Sequence, residues 1–470
     1  MKKLFFYSLM IIATTMGCRK IEVDGGTTVV NGSGGGTTEN TILEGRISSN
    51  LTLKAAYTYK LRGLVYVTNG AILTIEPGTK IVGELGKTGG LIITRGCKIN
   101  ADGTSSKPIV FTSEAANPQR GDWAGLVILG QAPTNSSFNG VQGVGAVEGG
   151  INNSDGLGLY GTPSTQGQNP ADNSGILRYV RIEYAGYAFL PDNEINGLTM
   201  AGVGSGTIID NVQVSYANDD SFEWFGGTVN CTHLIAYRGL DDDFDTDNGY
   251  SGKVQFGIGL RDSAVADISK SEAFESDNDA NGSALLPQTQ AVFSNMTVMG
   301  PKATLANTGN SLFVWAVQVR RNSSMSLVNS IVLGYPTGLY IDATKGVPTD
   351  NNIPGSLIVQ NNIIAGCPTP VLYSIGTNPN APLNVNTTTT ITGWYNTAAY
   401  GNSIQTNCSD VMLAAPFNYT NPDFNPAVGS PALTGASFIH PKLATGFTSV
   451  TYKGACAPGD TWWKNWTKFN

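Results

Sequence analysis

The chain has 470 residues, a formal net charge of −7, 58 glycines and only 13% charged residues. Many glycines, together with abundant Asn, Thr and Ser, favour short strands joined by tight turns over long helices. The negative charge argues against nucleic acid and anionic lipid surfaces as partners. The composition therefore predicts an all-β protein that does not bind nucleic acid.

The first 17 residues have the pattern of a secretory signal. Two lysines precede an apolar run that ends at Ala13, and small residues then lead to Gly17 and Cys18. The Gly-Cys junction resembles a bacterial lipoprotein signal, which implies that residues 1–17 are removed and that Cys18 is lipidated. The Gly-, Thr- and Ser-rich segment 18–44 would then be a flexible tether. We therefore expect lipid anchoring in the outer membrane with exposure at the cell surface; plain secretion is the alternative.

The cysteines predict either one disulfide or none. The six cysteines have no CxxC spacing and the chain has only two histidines, so a zinc site is not expected. Cys408 and Cys456 both fall in a turn-rich C-terminal region and form the predicted pair. The alternative is that all five cysteines beyond Cys18 are free and buried.

An internal repeat runs through most of the chain. A shift of 22 residues places 210–224 over 232–246, which aligns alternate apolar positions and superposes the acids. The same shift pairs His233 with Asn211, so we interpret His233 as the replacement of a turn asparagine. A further copy lies 32 residues upstream, and weaker copies begin at 292, 327 and 358. A period near 22 without helical spacing indicates a β-solenoid.

Several segments carry a resemblance to a known fold. ILTIEPGTKIV, KINADGTSSKPIVFTS and GDWAGLVI, with the repeated Asn-apolar-x-apolar turns, resemble right-handed parallel β-helix proteins of the pectate-lyase-like fold. The chain is also similar to a group of largely uncharacterised surface lipoproteins of Bacteroidetes-type bacteria. The resemblance implies one all-β parallel β-helix over residues 45–445, with loops inserted at 131–175 and 262–291. The tryptophan-rich tail, 446–470, is expected to cap its open end.

The stretch YRGLDDDFDTDNGY, residues 237–250, is the main candidate for a site. Adjacent turns of a parallel solenoid lie about 4.8 Å apart, so the 22-residue register stacks the carboxylates of 219–223 over those of 241–245. Each facing pair would repel by roughly 3 kcal/mol at an effective dielectric near 20, and Ca²⁺ would offset this repulsion. The predicted cation ligands are Asp219, Asp220, Glu223, Asp241, Asp242, Asp243, Asp245 and Asp247.

Two other interpretations of this stretch stay open. The carboxylates are either a solvated turn or pairs that share protons for acid catalysis. GLDDD at 239–243 resembles part of the motif set of polygalacturonase-type β-helices. That resemblance implies that Asp242 protonates the leaving oxygen while Asp220 and Asp241 activate water. The His and Arg-x-Lys elements that such enzymes carry downstream are missing.

Nearby cationic and aromatic residues add further candidates. A polysaccharide lyase of this fold would use Ca²⁺ with a basic residue, for which Arg238 and Arg261 are candidates. Trp224, Arg238 and Tyr250 are candidates for glycan binding, and Trp224 is expected to be exposed. Stacking of these aromatic rings inside the solenoid is the alternative.

These observations lead to three hypotheses on function. The first is a cell-surface β-helix lipoprotein that binds Ca²⁺ and an extracellular glycan or other ligand. The second is a polysaccharide lyase or glycoside hydrolase. The third is an accessory lipoprotein of an outer-membrane uptake complex with a transporter as partner.

Replacement of Cys18 tests the lipid anchor. Cys18→Ala is expected to release the protein from membranes or to block signal processing, because the replaced thiol is the predicted site of lipid attachment. Membrane fractionation and mass spectrometry of the mature N-terminus measure both effects. Unchanged fractionation together with an unmodified Cys18 in the parent protein would contradict the prediction.

Overall fold

The computed structural model describes residues 41–190, 193–380 and 386–470. The predicted signal, Cys18 and most of the predicted tether lie outside the described residues. The strands are Ile42–Ile47, Leu51–Leu53, Thr58–Val67, Ile72–Ile75, Lys80–Gly83, Gly90–Ile93, Lys98–Asp102, Ile109–Ser113, Leu126–Leu129, Ser137–Phe138, Val141–Gln142, Val144–Ala146, Leu159–Gly161, Gly175–Glu183, Ala188–Leu190, Asn193–Glu194, Leu198–Ala201, Ile208–Ser215, Phe222–Phe225, Asn230–Tyr237, Phe244–Asp247, Lys253–Leu260, Phe274–Ser276, Val292–Met299, Trp315–Val319, Ser326–Val328, Ile331–Leu333, Thr337–Asp342, Val359–Gln360, Ile363–Ala365, Thr369–Ser374, Ser403–Gln405, Leu413–Ala415 and Asp423–Pro426.

Helical structure is minor in these ranges. The α-helix is Thr388–Tyr395, and the 3₁₀ turns are Thr349–Asn352, Ala398–Tyr400, Cys408–Val411, Pro431–Leu433 and Pro441–Leu443. None of the described helices is long and apolar enough to cross a membrane.

The strands wind into a three-sided parallel solenoid, in agreement with the predicted all-β parallel β-helix. One 26-stranded sheet wraps around the core, and each complete turn contributes a strand to each of three faces. In one such turn, residues 208–210 lie on face 1, residues 212–215 on face 2 and Phe222–Phe225 on face 3. The next turn pairs with this one in parallel on every face. We call each complete turn a rung.

The predicted register is confirmed on consecutive rungs. Val212 pairs with Leu234 and Phe222 pairs with Phe244, both at a shift of 22 residues. The upstream copy is also in place, because Val180 pairs with Val212. The repeat is therefore a structural unit of the fold.

A left-handed residue bends the chain between faces 1 and 2. Asn211 and His233 occupy equivalent positions with φ of 54° and 55°, and Asn295, Asn329 and Asn361 have the same conformation on later rungs. Asparagine tolerates this backbone region better than other side chains with a Cβ. The interpretation of His233 as a substitute for a turn asparagine is confirmed, and its ring bonds to Asp210 at 2.8 Å.

Aromatic rings stack along the interior. Phe244 lies 5.6 Å from Phe222, measured between ring centroids, and Trp224 stacks on Tyr250 at 5.3 Å. Strand alternation directs positions 222 and 224 to the same side, and both side chains are fully buried. Tyr250 is buried too and donates to the Val229 carbonyl. The predictions that Trp224 is exposed and that Trp224 and Tyr250 bind glycan were therefore wrong.

The boundaries of the solenoid differ from those predicted. Its first strand begins at Ile42, three positions before the predicted start at 45, and its last parallel strand ends at Gln405 rather than near 445. The predicted loop 262–291 contains a rung strand, Phe274–Ser276, which pairs with Phe244–Asp247. The sequence hid this rung because a long insertion precedes it.

The C-terminal segment does not cap the open end as predicted. Trp463 and Trp466 pack on the outside of face 2, against outward apolar residues such as Ile235 and Leu260. Helix Thr388–Tyr395 instead lies near the end of the interior, where its buried residues join the main core. The tail is thus an outer layer along the side of the solenoid.

The predicted Cys408–Cys456 disulfide is not present, since both cysteines are free and buried. The Cys408 thiol lies 3.4 Å from the Lys302 carbonyl oxygen and 3.7 Å from that of Ala365. Cys97, Cys231 and Cys367 are also free and buried. The alternative of buried small apolar thiols is the correct one for these five residues.

Side-chain amides fix the tail to the rungs. The Gln255 amide nitrogen donates to the Thr448 carbonyl at 2.8 Å, and its oxygen accepts from the Thr448 N–H at 2.8 Å. Gln213 makes the same two bonds to Lys468. Asn329 makes them to Ser437. We call these three contacts the amide clamps, because each one substitutes for backbone pairing with a neighbouring strand.

Removal of one clamp is expected to loosen the tail. Gln255→Ala leaves the Thr448 N–H and C=O without their partners, which costs about 1–3 kcal/mol for buried groups. We expect a lower melting temperature and faster proteolysis between 436 and 470, measured by mass spectrometry of the fragments. Gln166→Ala removes an exposed amide and serves as the control. Equal cleavage rates in the two variants would contradict the role of the clamp.

Candidate functional site

Acidic side chains follow the outside of face 3 on successive rungs. In Phe222–Phe225 and Phe244–Asp247 the phenylalanine at the first position lies in the core, so Glu223 and Asp245 lie on the opposite side of the strand. Asp245 also pairs in register with Glu275 of the following rung. The alternation that builds the core thus stacks three carboxylates at the spacing of neighbouring strands.

A second line of carboxylates lies in the turn before face 3. Asp220 Oδ1 accepts from the Asp242 N–H at 2.8 Å, and Asp242 Oδ1 accepts from the Glu272 N–H at 2.6 Å. Hydrogen bonds to charged acceptors are stronger than neutral ones, so these contacts fix the turns on each other. One oxygen of Asp220 and one of Asp242 therefore support the fold.

The two lines come together in three clusters of carboxylate oxygens. Within each cluster, one oxygen of every member lies within 4.8 Å of the others. The clusters are Asp219, Asp220 and Asp241; Asp220, Glu223 and Asp245; and Asp241, Asp242 and Glu272. Because members are shared, we treat the three as one continuous acidic face. Of the predicted cation ligands, Asp243 and Asp247 fall outside these clusters.

Some oxygens of the acidic face are buried without a protein partner. Asp241 Oδ1, Asp245 Oδ1 and Glu272 Oε1 have no hydrogen bond in the described part of the chain. Glu272 as a residue is only 2% exposed. A buried unpaired polar atom costs about 1–3 kcal/mol, and more when it is charged. The arrangement therefore favours a bound cation or a bound proton.

The electrostatics of the acidic face favour protonation when no cation is bound. Burial raises the pKa of Asp220 well above its ordinary value, and the neighbouring Asp242 raises it further. Burial followed by Asp242 also raises the pKa of Asp245 and of Glu272. Asp242 thus lies at the centre of the repulsion.

Arginines neutralise the acids at the next rung. Arg320 Nε lies 3.0 Å from Asp277 Oδ1, and its guanidinium also pairs with Glu275. Arg321 pairs with the other oxygen of Asp277 at 3.0 Å. The acidic face therefore ends at a cationic border on the side of rung 315–321.

The candidate lyase base Arg261 is in the wrong place for that role. Its side chain is fully buried and pairs with Asp243 at 2.9 Å. Burial raises the pKa of Asp243 to about 6 although Arg261 opposes the shift. This pair belongs to the interior, so Arg261 is not accessible to a polysaccharide and Asp243 is already engaged.

Arg238 has a structural partner as well. Its guanidinium pairs with Asp262 and lies 5.0 Å from the Tyr419 ring centroid. Its side chain is 28% exposed, so it stays accessible in part. The ion pair leaves Arg238 poorly suited to act as a base.

Glu272 and Glu275 are the residues of the acidic face that sequence reasoning missed. They were assigned to an inserted loop, whereas they belong to a rung displaced by 30 residues from the preceding one, as the pairing of Asp245 with Glu275 shows. The signal was present in AFES, residues 273–276, which repeats the apolar-acidic pattern of DFDT at 243–246. A comparison that allowed insertions between rungs would have found it.

The fold and this site agree with the comparison to known families. Residues 45–411 match the family described as a pectate-lyase-like beta helix domain, and the chain belongs to this family. The solenoid is accordingly a right-handed parallel β-helix. No curated protein matches the chain.

The raised pKa values predict an unusual pH dependence. A carboxyl whose pKa is raised by folding binds its proton more tightly in the native state, so stability is highest at low pH and falls as pH rises through the folded-state pKa. In chelator, the melting temperature should therefore rise as pH is lowered from about 8 to about 5, still above the ordinary carboxyl pKa. Asp245→Asn with Glu272→Gln should flatten this slope. A parent protein whose melting temperature falls over this range would refute the prediction.

Proposed function

We propose that this β-helix is a cell-surface binding protein whose acidic face holds Ca²⁺ and, through it, an extracellular glycan. The observation that carries the proposal is the set of buried carboxylate oxygens without protein partners, Asp241 Oδ1, Asp245 Oδ1 and Glu272 Oε1. Ca²⁺ takes six to eight oxygen ligands in flexible geometry, which matches a face built from carboxylates and turn carbonyls. Zinc is disfavoured, because no histidine or cysteine belongs to the clusters.

The glycan part of the proposal rests on access to the acidic face. The outside of face 2 is covered by the tail, and the early rungs of face 3 are covered by residues of the loop 131–175, such as Val147 and Tyr160. Asp219, Asp241 and Asp245 remain partly exposed. A cation held there keeps coordination positions that hydroxyl or carboxylate groups of a glycan can fill.

The location belongs to the proposal too. Lipidation at Cys18 would hold the solenoid at the outer membrane, and an uptake transporter would be a suitable partner for a protein that captures glycan. The exposed, largely polar surface of the acidic face is consistent with a role outside the cell.

A glycoside hydrolase is the second candidate, and one observation favours it. Asp220 and Asp241 belong to the same oxygen cluster, and burial followed by repulsion from Asp242 raises the pKa of both. A raised pKa suits a carboxyl that donates a proton at neutral pH. A lyase is less well supported, because Arg261 is buried in an ion pair.

Calcium binding is tested by thermal unfolding and calorimetry. Ca²⁺ should raise the melting temperature relative to chelator, since a ligand at about 100 times its dissociation constant stabilises the native state by roughly 2.7 kcal/mol. Asp242→Asn with Glu272→Gln should remove most of this difference. Glu44→Gln with Asp102→Asn changes the charge equally at exposed positions and is the matched control.

The outcome separates the candidate functions. Loss of the Ca²⁺ effect in the acidic-face variant alone supports the binding protein. No Ca²⁺ effect in the parent, combined with release of reducing ends from acidic polysaccharides that Asp242→Asn abolishes, would support the hydrolase. A parent that neither responds to Ca²⁺ nor cleaves any polysaccharide would leave only a solvated turn.

A further inference from the structure

A cavity of about 350 Å³ lies at the C-terminal part of the solenoid, away from the acidic face. It is formed between the segment 354–360, the aromatic residues Trp394 and Tyr400, and His440 of the tail. Ligand pockets begin at about 300 Å³, so the volume suits a single small ring rather than a long chain.

Two aromatic side chains form one corner of the cavity. The ring centroids of Trp394 and Tyr400 lie 6.3 Å apart, and the ring planes meet at 69°. Both side chains are partly exposed rather than buried in the core. An aromatic face that is not covered by protein is a stacking surface for the C–H face of a sugar.

Polar groups complete the lining. His440 Nδ1 accepts from the Lys442 N–H at 3.2 Å, so in the neutral ring the proton is on Nε2, which can donate to a ligand. Burial and the nearby Lys442 lower the pKa of His440, which keeps the ring neutral. Gln360 adds a side-chain amide that is partly exposed.

The surroundings of the cavity are positively charged, although the chain as a whole is acidic. The Lys442 ammonium donates to the Ser356 carbonyl and to Ser326 Oγ, and that of Lys453 donates to the Gly401 carbonyl at 3.0 Å. Ser356 and Gly401 each neighbour a residue of the lining. In the described chain neither ammonium has a carboxylate partner, and the lining contains no acid.

Uncompensated charge makes this region costly without an anion. Burial lowers the pKa of Lys442 to about 8 and also lowers that of Lys453. An anionic group in the cavity would reverse part of this shift, because a nearby opposite charge favours the ionised ammonium.

We propose that this cavity binds one uronic acid unit, with its ring against Trp394 and Tyr400 and its carboxylate toward Lys442. The ring accounts for the aromatic corner, the hydroxyl groups for His440 and Gln360, and the carboxylate for the unpaired ammonium. This site is chemically opposite to the acidic face, since it attracts an anion directly and needs no metal ion.

Binding of D-glucuronate to the full chain in the presence of chelator tests the proposal without involvement of the cation site. We expect millimolar affinity by calorimetry and by quenching of tryptophan fluorescence. Lys442→Met and Trp394→Leu should each weaken binding by about tenfold or more. Lys345→Met and Trp315→Leu remove the same residue types elsewhere and should bind as the parent does.

D-glucose and inorganic phosphate separate the two halves of the ligand. Both should bind at least about tenfold more weakly than glucuronate, because glucose lacks the charge and phosphate lacks the ring. Equal binding of either compound would overturn the assignment, and so would the absence of glucuronate binding by the parent. Tyr400→Phe and His440→Gln keep the size of the side chains, and an unchanged affinity in both would also refute the proposed placement. Failure here leaves the calcium proposal intact, since that experiment depends on the acidic face.

Discussion

In-register stacking of parallel rungs is the constraint on which the rest of this structure depends. Every residue lies over its equivalent one rung earlier, so a favourable residue type gains from repetition and an unfavourable one is penalised by it. Phe222 and Phe244 gain from stacking inside the solenoid. Glu223 and Asp245 repel each other on the outside. The same register thus creates both the stability of the core and the electrostatic tension of the acidic face.

This constraint explains what the sequence could predict. The 22-residue shift held because neighbouring rungs without insertions keep their length, and it correctly paired Val212 with Leu234 and His233 with Asn211. The rung around Glu275 was missed because an insertion broke the period. The error at Trp224 had another cause: a residue beside acidic positions looked exposed, although two positions along a strand from Phe222 it had to lie inside.

The acidic face shows where local reasoning stops. The sequence indicated stacked carboxylates, but it did not indicate that Asp220 and Asp242 use one oxygen each to fix the next turn. Nor did it separate Asp243, which neutralises the interior Arg261, from the acids around it. These roles depend on which side of the backbone each carboxylate leaves and on partners from distant rungs. Five neighbouring aspartates therefore carry different duties within one short stretch.

The amide clamps have a consequence for how the molecule unfolds. A solenoid is nearly one-dimensional, so its end rungs can fray without disturbing the middle. The tail, however, contacts Asn329, Gln255 and Gln213 in order as it runs back toward the N-terminus. It ties rungs that do not touch each other, so loss of one clamped rung weakens the attachment of the others. Synthesis also reaches this segment last, and the tail can dock only on rungs that have already formed. The tail thus converts a string of local equilibria into one cooperative unit, closed by the final part of the chain.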